Sequence, residues 1–194
     1  MIIFLEKARL KTLSDSVLLV GIVLLVYNLA SLASTDADFF DPKTFFNTFI
    51  AYVNSFIVVY LYWSLFSVVL TYIEKIDVMV FLSFIVFLIL VTLIPVANIL
   101  YLQQENQQSH YFHAFILIVP GLLLMFVMFS RKHDLTRLAS RDFRHELISL
   151  SVIPATYSIS FLFSFVNSLT SQLIPLIIIP SFIIIGKRFS KSNY

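Results

Sequence analysis

The sequence predicts an all-α membrane protein: six transmembrane helices, both termini in the cytoplasm, and a single transmembrane domain over residues 1–194. Three observations carry this. Hydrophobic residues make up 59% of the chain and charged residues 12%, with a mean hydropathy of +0.94. A soluble domain carries about 25% charged residues, so this chain has too little charge to cover a surface in water, and lipid is the solvent that tolerates it. Six apolar stretches approach or exceed the roughly 20 residues needed to cross the hydrocarbon core. The basic residues lie almost entirely on one side of those stretches.

The first stretch spans about 13–33. It follows Lys7, Arg9 and Lys11, and a secretory signal has the opposite order, with its charges before the apolar run. This helix is therefore expected to stay in the mature protein. The second, 46–72, is long, since no charge occurs between Thr44 and Ile73; it tilts or extends beyond the lipid. The third covers 78–102 and the fourth 111–130. The fifth, 147–166, and the sixth, 169–185, are separated by only Asn167 and Ser168 and so form a hairpin. Pro175 and Pro180 shorten or kink the sixth, because residues before a proline favour extended geometry. Pro95, Pro120 and Pro154 are expected near other helix ends or bends.

The connections are short. The segment 34–43 is acidic, with Asp36, Asp38 and Asp41. Residues 74–77 make a tight turn, 103–110 is polar, and 131–146 is the longest and most basic. Counted by side, twelve Lys and Arg fall on the face shared by the N-terminus, the second and fourth connections and the C-terminus. Only Lys43 falls on the other. This asymmetry places both ends in the cytoplasm and independently supports an even number of spans.

Composition also narrows the chemistry. With no cysteine there is no disulfide framework, thiol nucleophile or Cys-held metal. No H-E-x-x-H, G-x-S-x-G or paired intramembrane carboxylate occurs. No catalytic residue, cofactor or metal site is therefore expected, and the chain does not read as an enzyme. His110 and His113 have a spacing that could share a metal, but no third ligand accompanies them; they read as interfacial imidazoles. An ionisable residue inside a span is a functional candidate because it is costly there. The one concentrated cluster is Arg9, Lys11, Ser14 and Asp15 at the start of the first helix. Lys11 and Asp15, four apart, could simply pair. Ser14, Gly21 and Asn28 recur every seven residues on one face. Small and polar residues let helices approach and hydrogen-bond in lipid, so the first helix is expected to be buried in protein.

The segment Arg9-Leu10-Lys11-Thr12-Leu13-Ser14-Asp15, leading into a Val/Leu/Ile helix, resembles the Arg-x-x-x-Phe-Ser-Asp signature of the transmembrane protein 175 family of potassium channels. Leu13 replaces the Phe. Trp63 is similar to that family's helix-two Trp, and Pro95 follows Ile94 much as in its Leu-Pro near the end of helix three. Pro154 and the hairpin at Asn167 look like its closing segment. With one copy of the signature and no internal repeat, the chain resembles the single-repeat, prokaryotic members, which assemble as tetramers. The resemblance implies a multi-pass cell-membrane channel passing potassium or other monovalent cations, surrounded by membrane lipids, a homotetramer with no nucleic-acid partner. Helix one of each subunit would line a central pore. Arg9, Ser14, Asp15 and Trp63 would hold that helix in place. The family's apolar layer falls five residues past the Asp, at Val20, followed on the same face by Val23 or Leu24, then Tyr27 and Ser31. A ring of such side chains gates by dewetting. Asp36, Asp38 and Asp41 would ring the outer mouth and concentrate cations; as ordinary residues of a solvated loop they need no such role.

Two departures bear on selectivity. Where the family has His after the helix-two Trp, this chain has Phe66 and Ser67. Where it often has Thr, eight residues past the Asp, this chain has Val23. The competing class is a non-conducting scaffold or accessory subunit using the basic loop 131–144, although anionic lipid explains that loop equally. A small-molecule carrier would prefer inverted repeats with broken helices at mid-membrane.

Overall fold

The computed structural model describes residues 7–35, 41–73, 76–103, 106–130, 139–165, 171 and 173–178. Five helices follow one another: α1 (Lys7–Thr35), α2 (Pro42–Tyr72), α3 (Val78–Gln103), α4 (Gln107–Ser130) and α5 (Ala139–Ser164). Residues 171 and 173–178 are also helical, which accounts for the middle of the expected sixth stretch. No strand occurs among the described residues. Four of the helices are long and apolar enough to cross a membrane, and α5 contributes a shorter apolar helix at Leu150–Ser164.

Side-chain caps set three of the helix starts. Asp41, Asp77 and Asn106 each sit just before a helix and accept a backbone N–H three residues on: Thr44 N to Asp41 Oδ2 at 3.2 Å, Val80 N to Asp77 Oδ1 at 2.9 Å, and Ser109 N to Asn106 Oδ1 at 2.8 Å. The first N–H groups of a helix have no partner within it, and a short Asx side chain supplies one. This is why α2 and α4 begin at residues 42 and 107 rather than at 46 and 111, where the hydrophobic pattern starts. Helix α1 already includes Lys7, Arg9 and Lys11, so the basic residues ride on the helix instead of preceding it. The largest revision concerns α5, which begins at residue 139 and absorbs half of the expected basic connection 131–146. Polar helical turns beyond the lipid carry no hydrophobic signal.

Of the helix ends or bends expected at Pro95, Pro120 and Pro154, ends do not apply: all three lie inside α3, α4 and α5. In lipid a proline within a helix is tolerated when neighbouring groups cover the freed backbone.

Helix α1 packs against α2 and α3, and α4 lies between α3 and α5. The core near the α2–α3 connection is aromatic and aliphatic. Phe66 of α2 meets Phe84 edge-on at 4.8 Å and stacks on Phe87 at 5.4 Å, and Tyr62 meets Phe87 edge-on at 6.1 Å. Ring pairs in offset or edge-to-face geometry add to simple burial. Gly121 marks a close approach of α4 and α5: a Cβ there would lie 2.9 Å from Pro154 Cδ.

Candidate functional site

The signature segment forms the first turns of α1. Asp15 reaches across to α2, where the Trp63 indole N–H donates to its Oδ1 at 2.8 Å. The bond Asp15 makes thus joins two helices instead of pairing with Lys11 along its own. Arg9 is exposed and Ser14 is 1% exposed. The Ser14 hydroxyl is buried without a hydrogen-bond partner. Nearby Thr12 and Ser16 donate to carbonyls four residues back, at 3.0 and 2.9 Å. Gly21, also buried, would bring a Cβ to 3.9 Å from Val59. Asp15 against Trp63 and Gly21 against Val59 define an antiparallel register that places Ser14 level with residues 64–66. There Phe66 is fully buried in the aromatic stack and offers no polar atom.

The two faces of α1 differ. Leu10, Ser14, Gly21 and Leu25 are buried on one. Val20, Val23 and Tyr27 lie on the other and are 53%, 60% and 68% exposed. Leu24 turns partly inward. The expectation of a protein-buried helix is not met within one subunit: 22% of the apolar window of α1 is buried, against 44–50% in the other three spans. The side chains of Asn28 and Ser31, and all of Asp36 and Asp38, lie outside the described residues. Asp41 is described, and its carboxylate caps α2.

A second polar assembly lies inside the bundle, toward the end where α4 begins. His113 of α4 is buried inside the protein, and its Nε2 bonds Asn98 Oδ1 of α3. The Asn98 amide donates to Ser55 Oγ of α2, and Ser55 donates to the Ala51 carbonyl at 2.8 Å. Because the Asn98 nitrogen is committed to Ser55, its oxygen must accept. His113 therefore carries its proton on Nε2. Tyr101 stacks on the His113 ring at 4.4 Å and shares a 2.7 Å hydrogen bond with Ser171, whose carbonyl accepts from Ser160. Beside this chain, Tyr157 of α5 donates to Asn54 Oδ1 at 2.9 Å. No three His, Asp or Glu residues converge as metal ligands among the described residues.

The sequence reading singled out His113 but missed Asn98, Asn54 and Ser55. Charge was the criterion for intramembrane candidates, and these residues are neutral. An Asn well inside each of two otherwise apolar spans was the available signal, since an unpaired amide is costly in lipid.

The family model described as endosomal/lysosomal potassium channel TMEM175 matches residues 9–95. The match begins at the signature Arg and covers most of α1, all of α2 and most of α3. Over that stretch the chain is similar to this potassium-channel family. No curated protein matches the chain.

Proposed function

With a potassium-channel family matched over residues 9–95, we propose that the chain is a subunit of a potassium-permeable cation channel of the single-repeat type. Four copies surround a central pore in the cell membrane, each with six spans and both termini in the cytoplasm. Helix α1 lines the pore. The observation that carries this reading is the two-sided character of α1. One face is pinned to α2 by Asp15, Trp63 and the Gly21 approach, while Val20, Val23 and Tyr27 point away from their own subunit. A helix with so little of its apolar window covered is completed by lipid alone or by further copies, and the family match favours copies.

In this reading Val20 forms the narrowest layer, with Val23 or Leu24 next to it. Val20 lies about 7–8 Å along the axis from Asp15, within the hydrocarbon zone. A dry ring of valines there stops ions without a moving lid. Arg9, Ser14, Asp15 and Trp63 position the helix and do not contact the ion. Asp41 contributes negative charge at the outer mouth while capping α2; Asp36 and Asp38 extend that ring.

The alternative of a non-conducting scaffold or accessory subunit is supported by Val23 and Phe66, which replace hydroxyl and imidazole groups of the family with apolar ones. Flux from liposomes containing the purified protein, under potassium and sodium gradients, separates the two. The channel reading expects potassium flux that Val20→Asn raises with weaker selectivity, that Val20→Phe abolishes, and that Val23→Thr shifts toward potassium. Flux unmoved by all three places the pore elsewhere than α1. No flux in the parent, with none created by Val20→Asn, establishes the scaffold.

A further inference from the structure

Three helices of this bundle are weakened in their middle portions. Pro120 is thirteen residues into α4 and Pro154 ten residues before the end of α5. Pro95 lies eight residues before the end of α3. At 1.5 Å per residue these positions are roughly 12–20 Å from the outer ends of their helices, near the middle of a hydrocarbon core about 30 Å thick. Each proline lacks an N–H and leaves a carbonyl four residues back, at Val91, Ile116 and Leu150, without its usual helical donor. Helix α2, by contrast, runs through this level with no interior proline; its Pro42 is the first residue of the helix.

The two sides of this level are held together differently. On the outer side α3, α4 and α5 are joined by rings and hydrogen bonds. Tyr101 stacks on His113 and bonds Ser171, which in turn accepts from Ser160. His110 stacks on Phe165 at 5.6 Å, and Tyr111 meets Phe161 at 5.8 Å. On the inner side the described buried residues of α4 and α5 are apolar: Leu124, Val127, Met128, Leu150 and Ile153. At the level itself, Pro154 seats against Gly121, where a side chain would collide. Tyr62 of α2, fully buried, donates its hydroxyl to the Leu117 carbonyl. Ser55, two turns toward the outer end of α2, receives the Asn98 amide.

We infer that Pro95, Pro120 and Pro154 form a single mid-membrane joint. The outer ends of α3, α4 and α5 tilt about it as one body against the unbroken α2, and the Tyr62 hydroxyl, together with the Ser55–Asn98 and Asn54–Tyr157 bonds, limits the tilt. Proline removes a ladder bond from the middle portion of each helix, so bending there costs each helix less than bending elsewhere. The outer cross-ties make the three bends concerted. The Tyr62 hydroxyl fixes the α4 backbone one residue past the carbonyl that Pro120 frees, which is where a bend would open. This device is independent of whether the protein conducts.

The test is site-resolved amide hydrogen exchange on the full chain in lipid nanodiscs. Tyr62→Phe keeps the ring and removes only the hydroxyl. Loss of one such bond inside a membrane protein corresponds to about a threefold rise in opening, with a ceiling of roughly twentyfold. Exchange is expected to rise by that factor together in residues 98–103, 110–117 and 157–164, and to stay unchanged in 122–130 and 147–153. A rise spread equally over inner and outer segments, a rise confined to α4, or no change overturns the joint. If Tyr62→Phe does not fold, Pro120→Ala serves. It restores the missing N–H and is expected to slow exchange in all three outer segments. Slowing in α4 alone, or none, overturns the proposal.

Discussion

Asn98 is the hub of the buried polar chain, and its truncation should cost more than that of either neighbour. In Asn98→Ala two interhelical hydrogen bonds disappear, one to Ser55 on α2 and one from His113 on α4. Interhelical bonds in a membrane protein contribute about 0.6 kcal/mol each, with an upper value of about 1.7. Two such bonds give about 1.2 kcal/mol, rising toward about 3 kcal/mol because the His113 N–H is left buried without an acceptor. Ser55→Ala removes one interhelical bond and is expected to cost about 0.6–1.7 kcal/mol. His113→Phe keeps the stack on Tyr101 and should fall in the same range. The assay is reversible unfolding from mixed micelles by added denaturing detergent, followed by the loss of helical circular dichroism. The Ser55→Ala/His113→Phe pair should be non-additive, because both bonds run through one amide. If Asn98→Ala costs no more than Ser55→Ala, or if the double mutant is additive, the three residues do not act as a connected chain.

Three further outcomes are expected in the same unfolding assay. Trp63→Phe and Asp15→Ala each lower stability by about 0.5–1 kcal/mol, as for an exposed charge-assisted bond. The double mutant should cost little more than either; full additivity would mean the two side chains do not support each other. Ser14→Ala should be neutral or stabilising by up to about 1 kcal/mol, since a buried hydroxyl without a partner is removed; a loss above about 1 kcal/mol would show that the hydroxyl is satisfied. Gly121→Ala should destabilise by about 1–3 kcal/mol through overpacking against the rigid Pro154 ring, and an unchanged midpoint would mean that α4 and α5 separate without cost.

The candidate site was legible in part. Asp15 and Trp63 were marked by their resemblance to a family pattern, but composition alone favoured Lys11 as the Asp15 partner. Only the register of α1 on α2 brings the indole within 2.8 Å of the carboxylate. The orphaned Ser14 hydroxyl could not be read from the segment itself, because any partner for it would come from a helix packed against α1. His113 looked interfacial because it is six residues into α4. Its burial is set by Tyr101 stacking over it and by Asn98 taking its N–H, both contributed by α3.

The sequence by itself determined that this chain folds in lipid as apolar helices joined by short connections. Hydrocarbon admits few charges and requires every spanning backbone group to be paired within its own helix. Those constraints act on each segment separately, so they leave their mark in local composition. Tertiary structure alone decided which polar side chains meet across helices and that Pro154 seats against Gly121. Caps at Asp41, Asp77 and Asn106 override the hydrophobic boundary because an unpaired N–H costs more than one further polar residue in the helix. The bonds among Ser55, Asn98 and His113, and the contact of Gly121 with Pro154, join residues 15 to 43 positions apart. Such pairings depend on the relative rotation and depth of whole helices, and no local pattern encodes either.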